Sequence, residues 1–100
     1  MANIHVGKIA AKDPDAIVIG TSSIQIVPQN YVRAGLTLIN LSNNFISISF
    51  GGTAATIYKW ITLTPGGGAW SMDEYTFSSE VINGVASSAG STLTIQEYIA

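Results

Sequence analysis

The chain has 100 residues and a formal net charge of −2. It is 47% hydrophobic but only 10% charged, whereas globular domains commonly carry about 25% charged residues. This length predicts a single domain. Four basic residues are too few for the positive surface that nucleic-acid binding requires. No apolar run is long enough to cross a membrane, no secretory signal is expected at the N-terminus, and the absence of cysteine excludes a disulfide framework.

The low charge is the most informative of these numbers. A small isolated domain usually covers itself with charged side chains, so this chain must expose serine, threonine, asparagine, glycine and apolar area instead. One interpretation is a neutral monomer rich in serine and threonine. The other, which we favour, is that other subunits cover much of the surface, because large exposed apolar patches mark interaction sites.

Apolar and polar residues alternate with a period of two, which predicts β-strands. In chain order, the alternating runs are 23–26, 36–38, 46–50, 60–64 and 92–96. Clusters of Asn, Gly, Pro and Asp separate the apolar runs and predict turns, and no stretch shows apolar residues at helical spacing. We therefore predict an all-β fold, an antiparallel β-sandwich of the jelly-roll type.

Two glycine-containing segments bear on this prediction. Pro65–Gly68 predicts a turn between strands rather than a phosphate-binding loop, because neither a helical pattern nor a basic residue follows. Asn83-Gly84 fits either a tight hairpin turn or a bulge within a single strand.

The first 20 residues differ from the rest of the chain. They hold four of the ten charged residues and two apolar runs around Asp13-Pro14-Asp15. We place a boundary here, with an N-terminal arm or hairpin at 1–20 and the sandwich domain at 21–100. The alternative is that residues 1–20 form the first two strands of the same sandwich. If the arm is additional, these of its side chains are candidates for contact with other subunits: Ile4, Val6, Lys8, Ile9, Ile17 and Ile19.

Residues that could support catalysis or metal binding are sparse. His5 is the single histidine and has no cysteine or nearby serine to activate. Asp73 and Glu74 are adjacent, so on an extended segment they point to opposite faces. Asp13 and Asp15 fit a turn and lack the further oxygen ligands of a calcium loop. We therefore expect no enzyme activity, no metal site and no cofactor.

Three large side chains suggest specific contacts. Trp60 and Trp70 flank the glycine-rich turn, so they are expected to be neighbours across a hairpin and to be candidates for stacking on sugar rings. We favour packing in the core or in a subunit interface over sugar stacking for both side chains, because large aromatic residues dominate these environments. Arg33 is the single arginine, and its planar guanidinium suits fixed partners, so we expect an ion pair or bonds to carbonyl groups.

Three motifs occur together between residues 33 and 97. They are Arg33-x-x-Leu36-x-Leu38-x-Asn40-x-Ser42, the turn Pro65-Gly66-Gly67 and the terminal strand pattern Leu93-x-Ile95-x-Glu97. Their combination resembles small β-sandwich structural proteins of tailed bacteriophages. That group includes capsid decoration (cement) proteins, bases of head fibres and parts of the tail.

The resemblance implies a virion structural protein on the capsid exterior. It implies binding between subunits of the major capsid protein, which stabilises the shell, and self-association, for which we expect a homotrimer because capsid lattices offer threefold positions. No catalytic residues follow from it. The alternatives are a head-fibre, tail-spike or connector component, or a glycan-binding surface module that uses Trp60 and Trp70.

Overall fold

The computed structural model describes residues 10–11, 15–72 and 78–100. Nine strands lie in these ranges: β1 (Ala10–Ala11), β2 (Asp15–Ile19), β3 (Ile24–Val27), β4 (Arg33–Asn40), β5 (Ile46–Phe50), β6 (Ile61–Leu63), β7 (Ala69–Ser71), β8 (Ile82–Ala86) and β9 (Ser91–Ile99). The described residues form no helix, and therefore none that could cross a membrane.

The strands form two antiparallel sheets. Sheet A has the order β2-β9-β4-β7, with β1 beside β9 on the same edge as β2, and sheet B has the order β3-β8-β5-β6. From β2 to β5 the chain alternates between the sheets, and after the β5–β6 hairpin it alternates again to β9. This is the jelly-roll arrangement, so the predicted antiparallel sandwich is confirmed.

The period-two pattern places one face of each sheet in the core. In β9, Leu93 and Ile95 are buried, whereas Thr92 and Thr94, which alternate with them, are half-buried on the other face, as alternation of side chains along a strand requires. Inward residues of both sheets form one cluster. Its buried members are Ile19, Ile26, Val27, Leu36, Leu38, Ile46, Ile48, Leu63, Ile82, Ala86, Leu93 and Ile95.

Strand β2 belongs to the sandwich. Its residues Asp15–Ile19 pair in register with Ser91–Ile95 of β9. Ile19 is fully buried in the core, and Ile17 packs against it. The long strand β9 has β4 on one edge and needs a partner on the other. Residues 15–19 are therefore paired with the body of the sandwich, and the division of the chain at residue 20 stays a prediction.

Asn83 and Gly84 lie inside β8, so the hairpin interpretation of this pair is wrong. The register irregularity lies in the neighbouring strand, between Gln25 and Val27 of β3. Gly84 faces the core, where a Cβ atom would lie 3.1 Å from Cγ2 of Ile26. Ile26 belongs to the neighbouring strand β3 of the same sheet, and Cδ1 of Ile19 in sheet A would lie 3.4 Å from the same Cβ. A glycine at this position therefore leaves room for both isoleucine side chains. Pro65–Gly68 does form the predicted turn, between β6 and β7.

Asn40, the last residue of β4, forms a network of hydrogen bonds with the neighbouring loops. Its side chain is fully buried, and Nδ2 donates to the backbone oxygens of Asn44, Leu63 and Thr64 at 2.7, 3.1 and 3.1 Å. Its Oδ1 accepts from the backbone N–H of Ser42 at 2.9 Å. A buried amide with these partners satisfies its hydrogen-bonding groups, and it ties the 40–45 turn to the end of β6.

Candidate functional site

The loop 51–60 lies across the outer face of sheet B. The backbone N–H of Tyr58 donates to Oγ of Ser47 at 2.8 Å. Nδ2 of Asn83 donates to the backbone oxygen of Thr53 at 2.8 Å. These bonds explain why Ser47 is fully buried although it points away from the core. The polar outward residues of β5 and β8 therefore anchor the loop.

The end of this loop holds two aromatic side chains towards solvent. Tyr58 and Trp60 have φ angles of 64° and 59°, a left-handed conformation that is unfavourable for bulky residues, and both side chains are more than 60% exposed. The ring of Phe45 packs edge-on against Tyr58 at 5.4 Å between centroids. Nζ of Lys59 lies 5.8 Å from the centre of the Trp60 ring. The backbone thus bears strain while these rings stay largely exposed.

An open groove of about 380 Å³ lies beside Trp60. It occurs beside the first residue of β6. Ile61 at the start of β6 pairs with Ile48, whereas β5 continues past this pair to Phe50. None of the described residues that line it is charged. Such a surface suits an uncharged, apolar group. Its lining residues are Ile48, Ser49, Phe50, Thr53, Trp60 and Ile61.

Trp60 and Trp70 are not neighbours across a hairpin, so that expectation is wrong. Strands β6 and β7 belong to different sheets, because the Pro65–Gly68 turn carries the chain from sheet B to sheet A. Trp70 is half-buried beside the core, with its ring centroid 5.4 Å from that of Phe50. Trp60 lines the groove. Sugar stacking therefore stays a prediction for Trp60, whereas Trp70 packs behind Phe50.

The arm residues predicted to contact other subunits fall into two groups. Ile4, Val6, Lys8 and Ile9 lie outside the described residues. Ile17 and Ile19 point inwards, and the fully buried Ile19 has no surface to offer a partner. This is a correction that follows from alternation along β2.

The side chain that β2 does present outside is Val18, which is 63% exposed. Sequence reasoning missed it, although alternation with Ile17 and Ile19 was the available signal. Tyr58 and Phe45 were missed as well, because nothing in their local sequence indicates that the loop 51–60 brings them together.

Charged groups on the described surface are few. The exposed charged residues of the described ranges are Asp15, Lys59 and Glu80, whereas Arg33 and Glu97 are buried. The same ranges contain no group of three His, Asp or Glu side chains arranged to hold a metal ion.

Comparisons with known proteins bear on the fold. No protein family matches the sequence, and no curated protein matches it. The structure is similar to a solved protein of Bacillus endospore appendages, which form a family of disulfide-linked pili. The TM-score is 0.55 and the sequence identity is 13%, and the likeness covers 92% of this chain and 88% of that one. At this identity the likeness establishes a shared small β-sandwich fold.

Proposed function

We propose that this chain is a non-enzymatic structural subunit that acts by non-covalent assembly with copies of itself and with a larger protein shell. The observation that carries the proposal is the surface. The described residues expose three charged side chains but nine large hydrophobic ones, a balance typical of a surface that partners cover. The nine are Val18, Ile24, Tyr31, Val32, Leu41, Phe45, Tyr58, Trp60 and Tyr98.

In its specific form, the proposal is a capsid decoration protein on the virion exterior. Its support is the resemblance of residues 33–97 to β-sandwich structural proteins of tailed bacteriophages, together with the jelly-roll topology. The subunit would bind between copies of the major capsid protein. Because it binds the assembled shell and not the separated subunits, mass action would stabilise the shell.

A second candidate is a subunit of an extracellular appendage. The observation that favours it is the fold shared with the Bacillus endospore appendage protein over 92% of this chain. That protein forms disulfide-linked pili, whereas the present sequence contains no cysteine. Contacts between copies of this chain would therefore be non-covalent.

The oligomeric state of the purified protein tests the proposal. We expect sedimentation velocity and light scattering to show assemblies that dissociate on dilution, since association follows mass action. A closed trimer that also coats undecorated capsid shells supports the decoration role, and open filaments support the appendage role. A stable monomer at ~100 μM that binds neither itself nor shells would contradict both candidates.

A further inference from the structure

The backbone N–H and C=O groups of Phe50 have no backbone partner among the described residues and lie beside the groove. The N–H of Gly51 donates to the oxygen of Val81 at 2.8 Å, and the N–H of Ser87 donates to the oxygen of Phe45 at 2.9 Å. Both bonds join β5 to β8. Since the N–H and C=O groups of successive strand residues point to opposite edges, those of Phe50 point away from β8. On that side β6 reaches only as far as its first residue, Ile61, which lies opposite Ile48. No backbone bond of the described residues reaches Phe50.

Val18 in the other sheet likewise has backbone groups without a backbone partner among the described residues. The N–H of Leu41 donates to the oxygen of Thr92 at 3.1 Å, so the backbone groups of Thr92 face β4. The backbone N–H and C=O of its neighbour Leu93 therefore point towards β2, where Ile17 lies opposite. By alternation, the N–H and C=O of Val18 point outwards from the edge of sheet A.

These two open edges complement one another. Residues directly opposite in an antiparallel pair can exchange both of their backbone hydrogen bonds and carry their side chains on the same face. If Val18 of one copy lay opposite Phe50 of another, its side chain would enter the groove beside Trp60. Neither Ala16–Ile19 nor the groove lining carries a charge, so the contact would bury no unpaired ion.

Strand β2 is also the best donor among the described edge strands. It has five residues, whereas β3, the outer strand at the corresponding edge of sheet B, has four, and β6 and β7 have three each. Its edge lies on the side of the sandwich where Ile19 approaches Gly84 of β8. The groove lies on the opposite side, where Phe50 packs against Trp70 of β7.

We propose that the open edge of β5 and its groove bind strand β2 of a second copy, with Val18 seated between Phe50 and Trp60. The inference rests on the proposed function, since it names the contact through which copies assemble. Because the two edges lie on opposite sides of the sandwich, the contact is head-to-tail. Repetition of such a contact closes into a ring or extends into a filament.

Disulfide cross-linking tests the contact. The chain contains no cysteine of its own, so every disulfide must form between the introduced residues. Thr53 lines the groove and is exposed. Val18→Cys protein is mixed with Thr53→Cys protein and oxidised mildly. We expect several-fold more mixed disulfide dimer than when Val18→Cys is mixed with Tyr31→Cys, which places the thiol at an 81% exposed position that does not line the groove, since a disulfide forms only between close cysteines.

A charge on the edge strand gives an independent readout. Val18→Lys should shift the assembly equilibrium several-fold towards the monomer, because an edge lysine blocks strand addition. Thr92→Lys is the matched control, since Thr92 lies directly opposite Val18 on the inner strand β9. It should have a much smaller effect.

The outcomes separate the two claims. The proposed contact is wrong if assemblies persist but Val18→Cys shows no preference for Thr53→Cys. It is also wrong if Val18→Lys and Thr92→Lys weaken assembly equally. In both cases the proposed function still stands. A protein that is monomeric throughout overturns both.

Discussion

Arg33 and Glu97 lie 64 positions apart in the chain, and Nε of Arg33 donates to Oε2 of Glu97 at 2.7 Å with both side chains buried. The same guanidinium donates to the backbone oxygens of Ser78, Glu80 and Pro28 at 2.8, 3.0 and 2.8 Å. One side chain thus joins β4 and β9 of sheet A to the segments that enter β8 and leave β3. The expectation of an ion pair and carbonyl bonds for Arg33 is confirmed.

We predict that Arg33→Met lowers the free energy of unfolding by roughly 3–5 kcal/mol, because it removes the guanidinium that bonds the buried Glu97 carboxylate and three backbone oxygens. Arg33→Lys should recover part of the loss, since an ammonium keeps the charge but not the fork of donors. Urea denaturation measures both. Lys59→Met, which removes an exposed cation, is the control and should change stability by no more than ~0.5 kcal/mol. A loss below ~1 kcal/mol for Arg33→Met would show that the pair does not hold this end together.

The Asn40→Asp variant should be destabilised by about 2–3 kcal/mol, because a carboxylate oxygen would replace the donor that faces three backbone oxygens. Asn43→Asp places the same change at an exposed position of the same turn and should be nearly neutral. Thermal unfolding of the two variants at neutral pH makes the comparison. Equal stability of the two variants would rule out the anchoring role of Asn40.

Substitutions at two glycines should separate close packing from backbone effects. Gly84→Val should lower stability by about 1–3 kcal/mol, since its side chain would overpack the space between Ile26 and Ile19. At Gly20 nothing lies within 4 Å of an added Cβ, so Gly20→Ala should be neutral or stabilising by up to ~1 kcal/mol. Denaturant titration measures both. A Gly84→Val variant as stable as the original chain would mean that the sheets separate there without penalty.

Replacement of Trp60 should uncouple stability from assembly. Trp60→Gly relieves a left-handed backbone conformation that costs roughly 1–2 kcal/mol for a non-glycine residue. We therefore expect the dilute protein to unfold at equal or higher urea concentration while self-association weakens several-fold. Tyr31→Gly removes another exposed aromatic ring at a position without positive φ, and it should bring no gain in stability. If Trp60→Gly assembled as well as the original chain, Trp60 would have no part in the contact.

Assembly should depend little on salt. Neither Ala16–Ile19 of β2 nor the described lining of the groove carries a charge, so raising NaCl from about 0.05 to about 0.5 M should change the association constant less than ~2-fold, because screening acts on charges. Sulfate should strengthen association, since it favours burial of apolar surface. Sedimentation at each salt concentration provides the measurement. Dissociation by more than ~10-fold in NaCl would indicate an ionic interface instead.

Sequence reasoning recovered the features that depend on neighbouring residues. Alternation in 46–50 and 92–96 predicted strands, and Pro65–Gly68 predicted a turn, because side-chain direction and backbone preference repeat over a few residues. The fixed partners of Arg33 were also predictable in kind, since a lone guanidinium in a nearly uncharged chain needs acceptors wherever it is buried.

Other features depended on which strands meet. Local pattern does not reveal that β6 and β7 enter different sheets, and for this reason Trp60 and Trp70 were paired wrongly. The groove arises because β5 extends to Phe50, beyond the start of β6 at Ile61, and because the loop 51–60 packs on sheet B. Its lining therefore combines residues of β5, of β6 and of the loop between them.

The amino-acid sequence by itself determined the all-β class, the positions of most strands and the shortage of surface charge, since each follows from residue type and a period of two. Tertiary structure alone decided that β2 is an edge strand, that the backbone groups of Val18 point away from β9, and that Phe50 borders a groove. The physical reason is that strand order and register are set by contacts between residues far apart in the chain, and these contacts leave no mark on the local pattern.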